Sequence, residues 1–168
     1  IPSGLKVKKP YILYVGSLAP HKNVGRLVEA FVVLKGYDGM GQLGLVIAGG
    51  NDRRYPSLAE RINKLGLEGS VYVTDFVNDQ NLDYLYRNSE ALVFPTLFEG
   101  FGMPGLEGMA RGVPVVCSDI EVLREVYGEA ALYFDPRDPS DMVEKIRKVI
   151  SDKRIASRLV EKGRERVK

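Results

Sequence analysis

Cysteine is almost missing from this chain of 168 residues: Cys117 stands alone, so no disulfide can form within it. Its place in the apolar run VPVVC marks it as a buried structural thiol rather than a reactive one, because apolar surroundings disfavour the thiolate. Histidine is equally scarce. His21 is the single one, with no acidic cluster around it, which supports neither a metal site nor a Ser-His-Asp triad. No apolar stretch approaches the roughly 20 residues that cross a bilayer, and no signal-peptide core is present, so a cytoplasmic setting is expected. An excess of one charge is lacking too. The 24 basic and 22 acidic side chains leave +2, which gives no argument for nucleic acid or an anionic membrane as a partner. Repeats and low-complexity segments are absent.

What is present is the profile of a soluble globular protein, 45% apolar and 27% charged, long enough for one domain and too short for two of ordinary size. Residues 1–10 carry Pro, Gly and Lys without periodicity and read as a linker or chain start. From there, short β-branched and aromatic runs alternate with helical patterns. Strands are expected at 11–15 (YILYV), 44–49, 71–76 (VYVTDF), 91–95 (ALVFP), 113–117 (VPVVC) and 131–135 (ALYFD). Between the first two, Leu27, Val28, Phe31 and Leu34 recur at helical spacing up to Gly36. GNDRRYP at 50–56 reads as loop and SLAERINKLG as a helix ending at Gly66. Asp79 is the expected N-cap of a helix through Leu82, Leu85 and Tyr86. Glu121 to Val126 reads as helical, and Asp138 followed by Pro139 opens a helix through Val143, Ile146 and Val149.

Six such strands joined by helices specify an α/β fold: a Rossmann-like, doubly wound parallel six-stranded sheet with helices on both faces. The commonest order, 3-2-1-4-5-6, puts a ligand crevice outside the carboxyl ends of the first and fourth strands. Those ends run into Gly16–Lys22 and Thr96–Glu107, the two most unusual loops of the chain.

In the second loop, Gly100 and Gly102 lie between two carboxylates eight positions apart, Glu99 and Glu107. The glycines allow a tight turn and close approach of a ligand. N–H groups near Met103, at a helix start, suit a negatively charged diphosphate. The plainer alternative is a tight strand-to-helix turn. Glu107, one turn into the helix, is a candidate for ribose hydroxyls; otherwise it is a carboxylate near the positive helix end, worth only about 0.3–1 kcal/mol. Glu99 would face the sugar, or else be a solvated loop residue. Lys22, across the crevice, offers a point charge to phosphate, although most basic side chains are merely exposed.

These residues resemble the C-terminal, donor-binding domain of the retaining GT-B glycosyltransferases of family 4, which include mannosyl- and glucosyltransferases. VGSLAPHKN resembles the family's phosphate loop, EGFGMPGLE its E-x7-E motif, and ARGVPVVCSD with LREVYGEAALYFDP the next two strand–helix segments. The resemblance covers roughly residues 11–152. It implies a hexose transfer from a nucleotide diphosphate sugar, GDP- or UDP-hexose, with retention and without a metal or other cofactor. Residues 11–168 would be the nucleotide-sugar domain. By the same resemblance, Glu99 and Lys22 are the catalytic pair, Glu99 on the hexose and Lys22 on the diphosphate, and Glu107 takes the ribose. Gly16, Ser17, Gly100, and the backbone of Phe101, Gly102 and Met103 surround sugar and diphosphate, while Phe76 and Val77 lie where the base falls.

Two positions depart from the family pattern. Ser17 stands where many members carry Arg, and Glu121 and Val122 stand where a glycine pair is common. The N-terminal acceptor domain and a closing C-terminal helical tail are expected to be missing, leaving a domain that binds donor without efficient turnover. The resemblance also allows peripheral membrane association of the parent enzyme. Two rivals remain: a dehydrogenase domain, which needs G-x-G-x-x-G where the chain has GSLAPHKN, and a non-catalytic nucleotide-sugar-binding or interaction domain.

Overall fold

The computed structural model describes residues 7–49, 57–74 and 76–168. The expected loop at 50–56, residues 1–6 of the expected linker and Asp75 of the third expected strand lie outside the described residues. The strands are β1 (Tyr11–Val15), β2 (Gly44–Ala48), β3 (Val71–Thr74), β4 (Ala91–Phe94), β5 (Val115–Ser118) and β6 (Ala131–Phe134). They form one parallel sheet in the order β3-β2-β1-β4-β5-β6. β2, β4 and β5 are buried at every position, and β1 at all but its last residue. Parallel strands covered on both faces have no solvent side, and this is why these runs are apolar without alternation.

The helices are α1 (Val24–Lys35), α2 (Ser57–Lys64), α3 (Asp79–Arg87), α4 (Met103–Ala110), α5 (Glu121–Tyr127), α6 (Pro139–Ser151) and α7 (Lys153–Arg166). α1 packs beside α2 and α6, and α4 packs on α7. The expected caps divide. Asp138 accepts from the Ser140 N–H at 2.8 Å and opens α6 as its sequence suggests. In α3, however, Asp79 is the first helical residue and Asn78 is the cap, its Oδ1 2.8 Å from the Asn81 N–H. Asn78 has the extended backbone an N-cap needs (φ −68°, ψ 165°), and Asp79 is left with only a dipole interaction.

α7 is a helix that periodicity did not indicate. Asp152 caps it through the Arg154 N–H at 2.9 Å, and Leu159 and Gly163 are its buried positions. A Cβ on Gly163 would lie 2.9 Å from Met109 Cγ, so the glycine is where α7 closes onto α4. Residues 7–10 are not all solvated: Val7 is buried, and the Pro10 carbonyl accepts from the Gly44 N–H at 2.8 Å.

Among the described residues, four tyrosines sit wholly inside the core: Tyr11, Tyr14, Tyr86 and Tyr127. A buried hydroxyl without a partner is costly, and each of these donates to a defined acceptor. Tyr11 reaches the Leu85 carbonyl at 3.0 Å; the other three reach the loops around the crevice. Cys117 is buried, and burial pushes its thiol well above the ordinary value. Among the described residues, no helix is long and apolar enough to cross a membrane.

Candidate functional site

The order reverses between β1 and β4, where Ile12 pairs with Ala91 and Leu13 with Leu92. The chain leaving β1 makes a short 3-10 turn, Pro20–Lys22, before α1 starts. Asn23 joins the two in the left-handed conformation, φ 60°. Asparagine tolerates that region better than most residues. Its amide spends both protons across the crevice end, on the Pro95 carbonyl at 3.1 Å and the Pro136 carbonyl at 3.0 Å. The loops after β1, β4 and β6 are thereby tied at one point.

A second tie lies beside it. The Leu97 N–H donates to the His21 carbonyl at 2.7 Å. The fully buried Thr96 hydroxyl lies 2.8 Å from the Phe98 carbonyl and 3.2 Å from that of His21. The two loops that the sequence singles out therefore meet. At the junction the Lys22 ammonium pairs with Glu99 Oε1 and lies 5.5 Å from the centroid of the Phe94 ring. The two side chains are only 17% and 11% exposed, less than in Arg61–Glu29, where both are about half exposed, or Lys145–Asp141, at 24% and 27%. An isolated surface pair is worth roughly 0–1 kcal/mol; a shielded one holds its charges in place.

Tyr14 lies under this loop. Its hydroxyl donates to the Ser17 carbonyl at 2.6 Å, and burial, followed by the Glu99 charge, pushes its ionisation well above the ordinary tyrosine value. Gly16 follows at φ 145° and Ser17 is exposed.

Gly102 caps α4 in the left-handed region, φ 90°, and no side chain bonds to the first turn. Pro104 has no N–H and the Gly105 N–H donates to the Gly102 carbonyl at 3.2 Å, so the Met103 N–H is the donor this end offers an anion. A Cβ on Gly102 would lie 2.5 Å from both Leu123 Cδ2 and the Tyr127 hydroxyl oxygen, and Tyr127 donates to the Gly102 carbonyl. Gly100 differs from the expected turn role: its φ is not left-handed, and a Cβ would meet nothing within 4 Å. Gly105 is the tighter position, with a Cβ only 2.2 Å from Tyr127 Cζ, although nothing in its local sequence marks it apart from the other glycines. Phe101 and Met103 are half exposed, and Leu97 and Phe98 beside them add to an apolar rim.

Glu107 is half-buried in the second turn of α4, and its Oε2 accepts from the Tyr86 hydroxyl at 3.0 Å. Phe76, 90% exposed, and Val77 follow β3 at the same carboxyl edge of the sheet, two strands away from β1. A separate pocket of ≈ 340 Å³ between α1 and α2 is lined by Leu18, Pro20, Arg26 and Arg61, and includes none of Lys22, Glu99 and Glu107. Among the described residues, no three His, Cys, Asp or Glu side chains gather as a group able to hold a metal ion.

The family model described as glycosyl transferases group 1 matches residues 2–166. The chain belongs to the glycosyl transferases group 1 family. Over 128 residues, 76% of this chain and 33% of the relative, it is 38% identical to the O-antigen chain mannosyltransferase B of Escherichia coli. Over 144 residues, 86% of this chain and 39% of the relative, it is 34% identical to the O-antigen chain mannosyltransferase RfbU of Salmonella typhimurium. Among solved structures it superposes on the sucrose-phosphate synthase of Thermosynechococcus elongatus with a TM-score of 0.81 at 28% identity, covering 94% of this chain and 40% of that one. The fold is that of the C-terminal half of GT-B glycosyltransferases, and the chain spans about a third of the length of the two curated relatives. The group 1 match extends past residue 152, where the motif resemblance stops, and takes in α7. In this group 1 domain, Glu121 and Val122 begin α5.

Proposed function

We propose that this chain is the donor-binding half of a hexosyltransferase, which moves a hexose from a nucleotide diphosphate sugar to an acceptor with retention of configuration. The observation that carries the reading is the Lys22–Glu99 pair, shielded from water at the strand-order reversal and set in the loop whose far end is the uncapped start of α4.

Lys22 would exchange its carboxylate partner for the donor's diphosphate, and the freed Glu99 would accept hydroxyl protons of the hexose. The negative charge on the leaving nucleoside diphosphate grows in the transition state, and the ammonium together with the Met103 N–H and the positive end of α4 would stabilise it without a metal. Glu107 would take the ribose hydroxyls, and the backbone following β3, at Phe76 and Val77, the base. Gly16, Ser17, Gly100, Phe101, Gly102 and Met103 would form the walls. Glu99 is assigned an orienting role rather than that of a covalent nucleophile. The acceptor would come from an N-terminal domain outside residues 11–168. Such a domain would also cover the apolar rim of Leu97, Phe98, Phe101 and Met103, so residues 11–168 alone would bind donor without efficient turnover. The mannosyltransferase relatives favour a GDP-linked or UDP-linked hexose as the donor class.

A melting-temperature panel of UDP- and GDP-sugars, with NAD as a control, tests this. A ligand at 100 times its Kd stabilises the folded state by about 2.7 kcal/mol, or roughly 5–10 °C for a domain of this size. A shift from one of these donors, lost in Lys22→Ala, is expected. A panel with no effect, or a shift from NAD instead, would overturn the proposal.

A further inference from the structure

Tyr86 belongs to α3, a helix that supplies no residue to the crevice as expected from sequence, and it is wholly buried. Its hydroxyl lies 3.0 Å from Glu107 Oε2 and 3.3 Å from the Pro104 carbonyl. One proton serves two acceptors, and the carboxylate, charged and nearer, is the stronger. Burial, followed by the Glu107 charge and this hydrogen bond, pushes the Tyr86 ionisation far above the ordinary tyrosine value, so the hydroxyl remains a donor throughout the neutral range.

Arg111 braces the same contact. Its guanidinium lies 5.0 Å from the centroid of the Tyr86 ring, its Nη1 donates to the Glu107 carbonyl at 3.1 Å, and its Nε donates to Asp83 on α3 at 3.0 Å. A glutamate on a helix surface samples several rotamers, and a ligand that needs one of them must freeze the rest. Here one carboxylate oxygen is already engaged from beneath, leaving Oε1 and the remaining Oε2 lone pair for a vicinal diol.

We infer that Tyr86 is a positioning residue for nucleotide recognition, holding the Glu107 carboxylate in the orientation that accepts the ribose 2′- and 3′-hydroxyls. The inference rests on the ribose role proposed above for Glu107. A merely structural role would be satisfied by the Pro104 carbonyl and would not affect how the protein tells a ribose from a deoxyribose.

The experiment is calorimetric titration of the chain with UDP and GDP and with their 2′,3′-dideoxy counterparts, comparing the wild type with Tyr86→Phe and Glu107→Ala. Tyr86→Phe removes one oxygen and little volume from the core. It is expected to lower the ribo-to-dideoxy affinity ratio about tenfold, or about 1.4 kcal/mol, with dideoxynucleotide affinity unchanged. If Glu107→Ala collapses the ratio while folded Tyr86→Phe keeps it, Tyr86 has no positioning role and the ribose reading stands. If Glu107→Ala leaves the ratio intact, or neither nucleotide binds the wild type, the ribose reading fails and this inference fails with it. A crystal structure of the wild type with its bound nucleotide gives a readout free of any folding defect: Glu107 should touch both Tyr86 and the ribose, and a Glu107 turned away from Tyr86 overturns the inference.

Discussion

Replacing Asn23 by alanine removes the amide that ties the loops after β1, β4 and β6 to one another. Two backbone carbonyls, of Pro95 and Pro136, lose their donor at 3.1 and 3.0 Å; at about 0.5–1.5 kcal/mol for each bond, that is roughly 1–3 kcal/mol. Alanine must also adopt φ 60°, at a cost of about 1 kcal/mol more than asparagine. The expected loss is about 2–4 kcal/mol, read as a lower urea midpoint at unchanged m-value and a fall of about 5–15 °C in Tm. Asn23→Gly separates the two contributions, because glycine accepts the left-handed backbone but cannot make the bonds; it should lose about 1–3 kcal/mol. A loss below about 0.5 kcal/mol in Asn23→Ala, or Ala and Gly variants of equal stability, would refute the reasoning.

Other outcomes follow from the same geometry. Gly105→Ala drives a Cβ to 2.2 Å from the Tyr127 ring and should cost about 1–3 kcal/mol by overpacking; thermal melting within 1 °C of wild type would contradict this. Asn78→Ala should destabilise by about 1 kcal/mol through loss of the α3 cap, whereas Asp79→Ala should stay within a few tenths; chemical denaturation of the two variants compares them directly. Burial raises Tyr11, Tyr14, Tyr86 and Tyr127 above the ordinary 10.0. Their stability contribution is therefore intact below pH 10 and declines above it, by up to about 1.4 kcal/mol per pH unit for each. Tyrosinate absorbance for these four should appear together with loss of helical circular dichroism, and tyrosinate formation by all nine tyrosines in a still-folded protein would refute it.

The sheet was legible because its inner parallel strands, covered on both faces, are uniformly apolar and its edge strands β3 and β6, though less buried, are β-branched and aromatic; each of the six runs became a strand, and 3-2-1-4-5-6 is the order observed. The meeting of the loops after β1 and β4 followed from that order. The Asn23 clamp was not legible, since its partners lie 72 and 113 residues away. Tyr86 and Tyr127, whose hydroxyl partners lie 18 to 25 residues away, look like ordinary core aromatics in the sequence, and so does Tyr14, although its partner Ser17 is only three residues on. α7 escaped because its buried stripe is narrow, Leu159 and Gly163, within a segment rich in Lys and Arg. The α3 cap was displaced by one residue because asparagine and aspartate cap about equally well, and only the backbone of Asn78 decides between them.

The most direct test of the donor site is where a nucleotide sugar perturbs the backbone amide resonances of the isotopically labelled chain. Changes are expected to concentrate in Gly16–Asn23 and Gly100–Glu107, with α6 and α7 unmoved. Changes gathered instead around Arg26, Glu29, Leu58 and Arg61, in the pocket between α1 and α2 that Leu18–Pro20 and Asn23 also line, with Gly100–Glu107 unmoved, would contradict it.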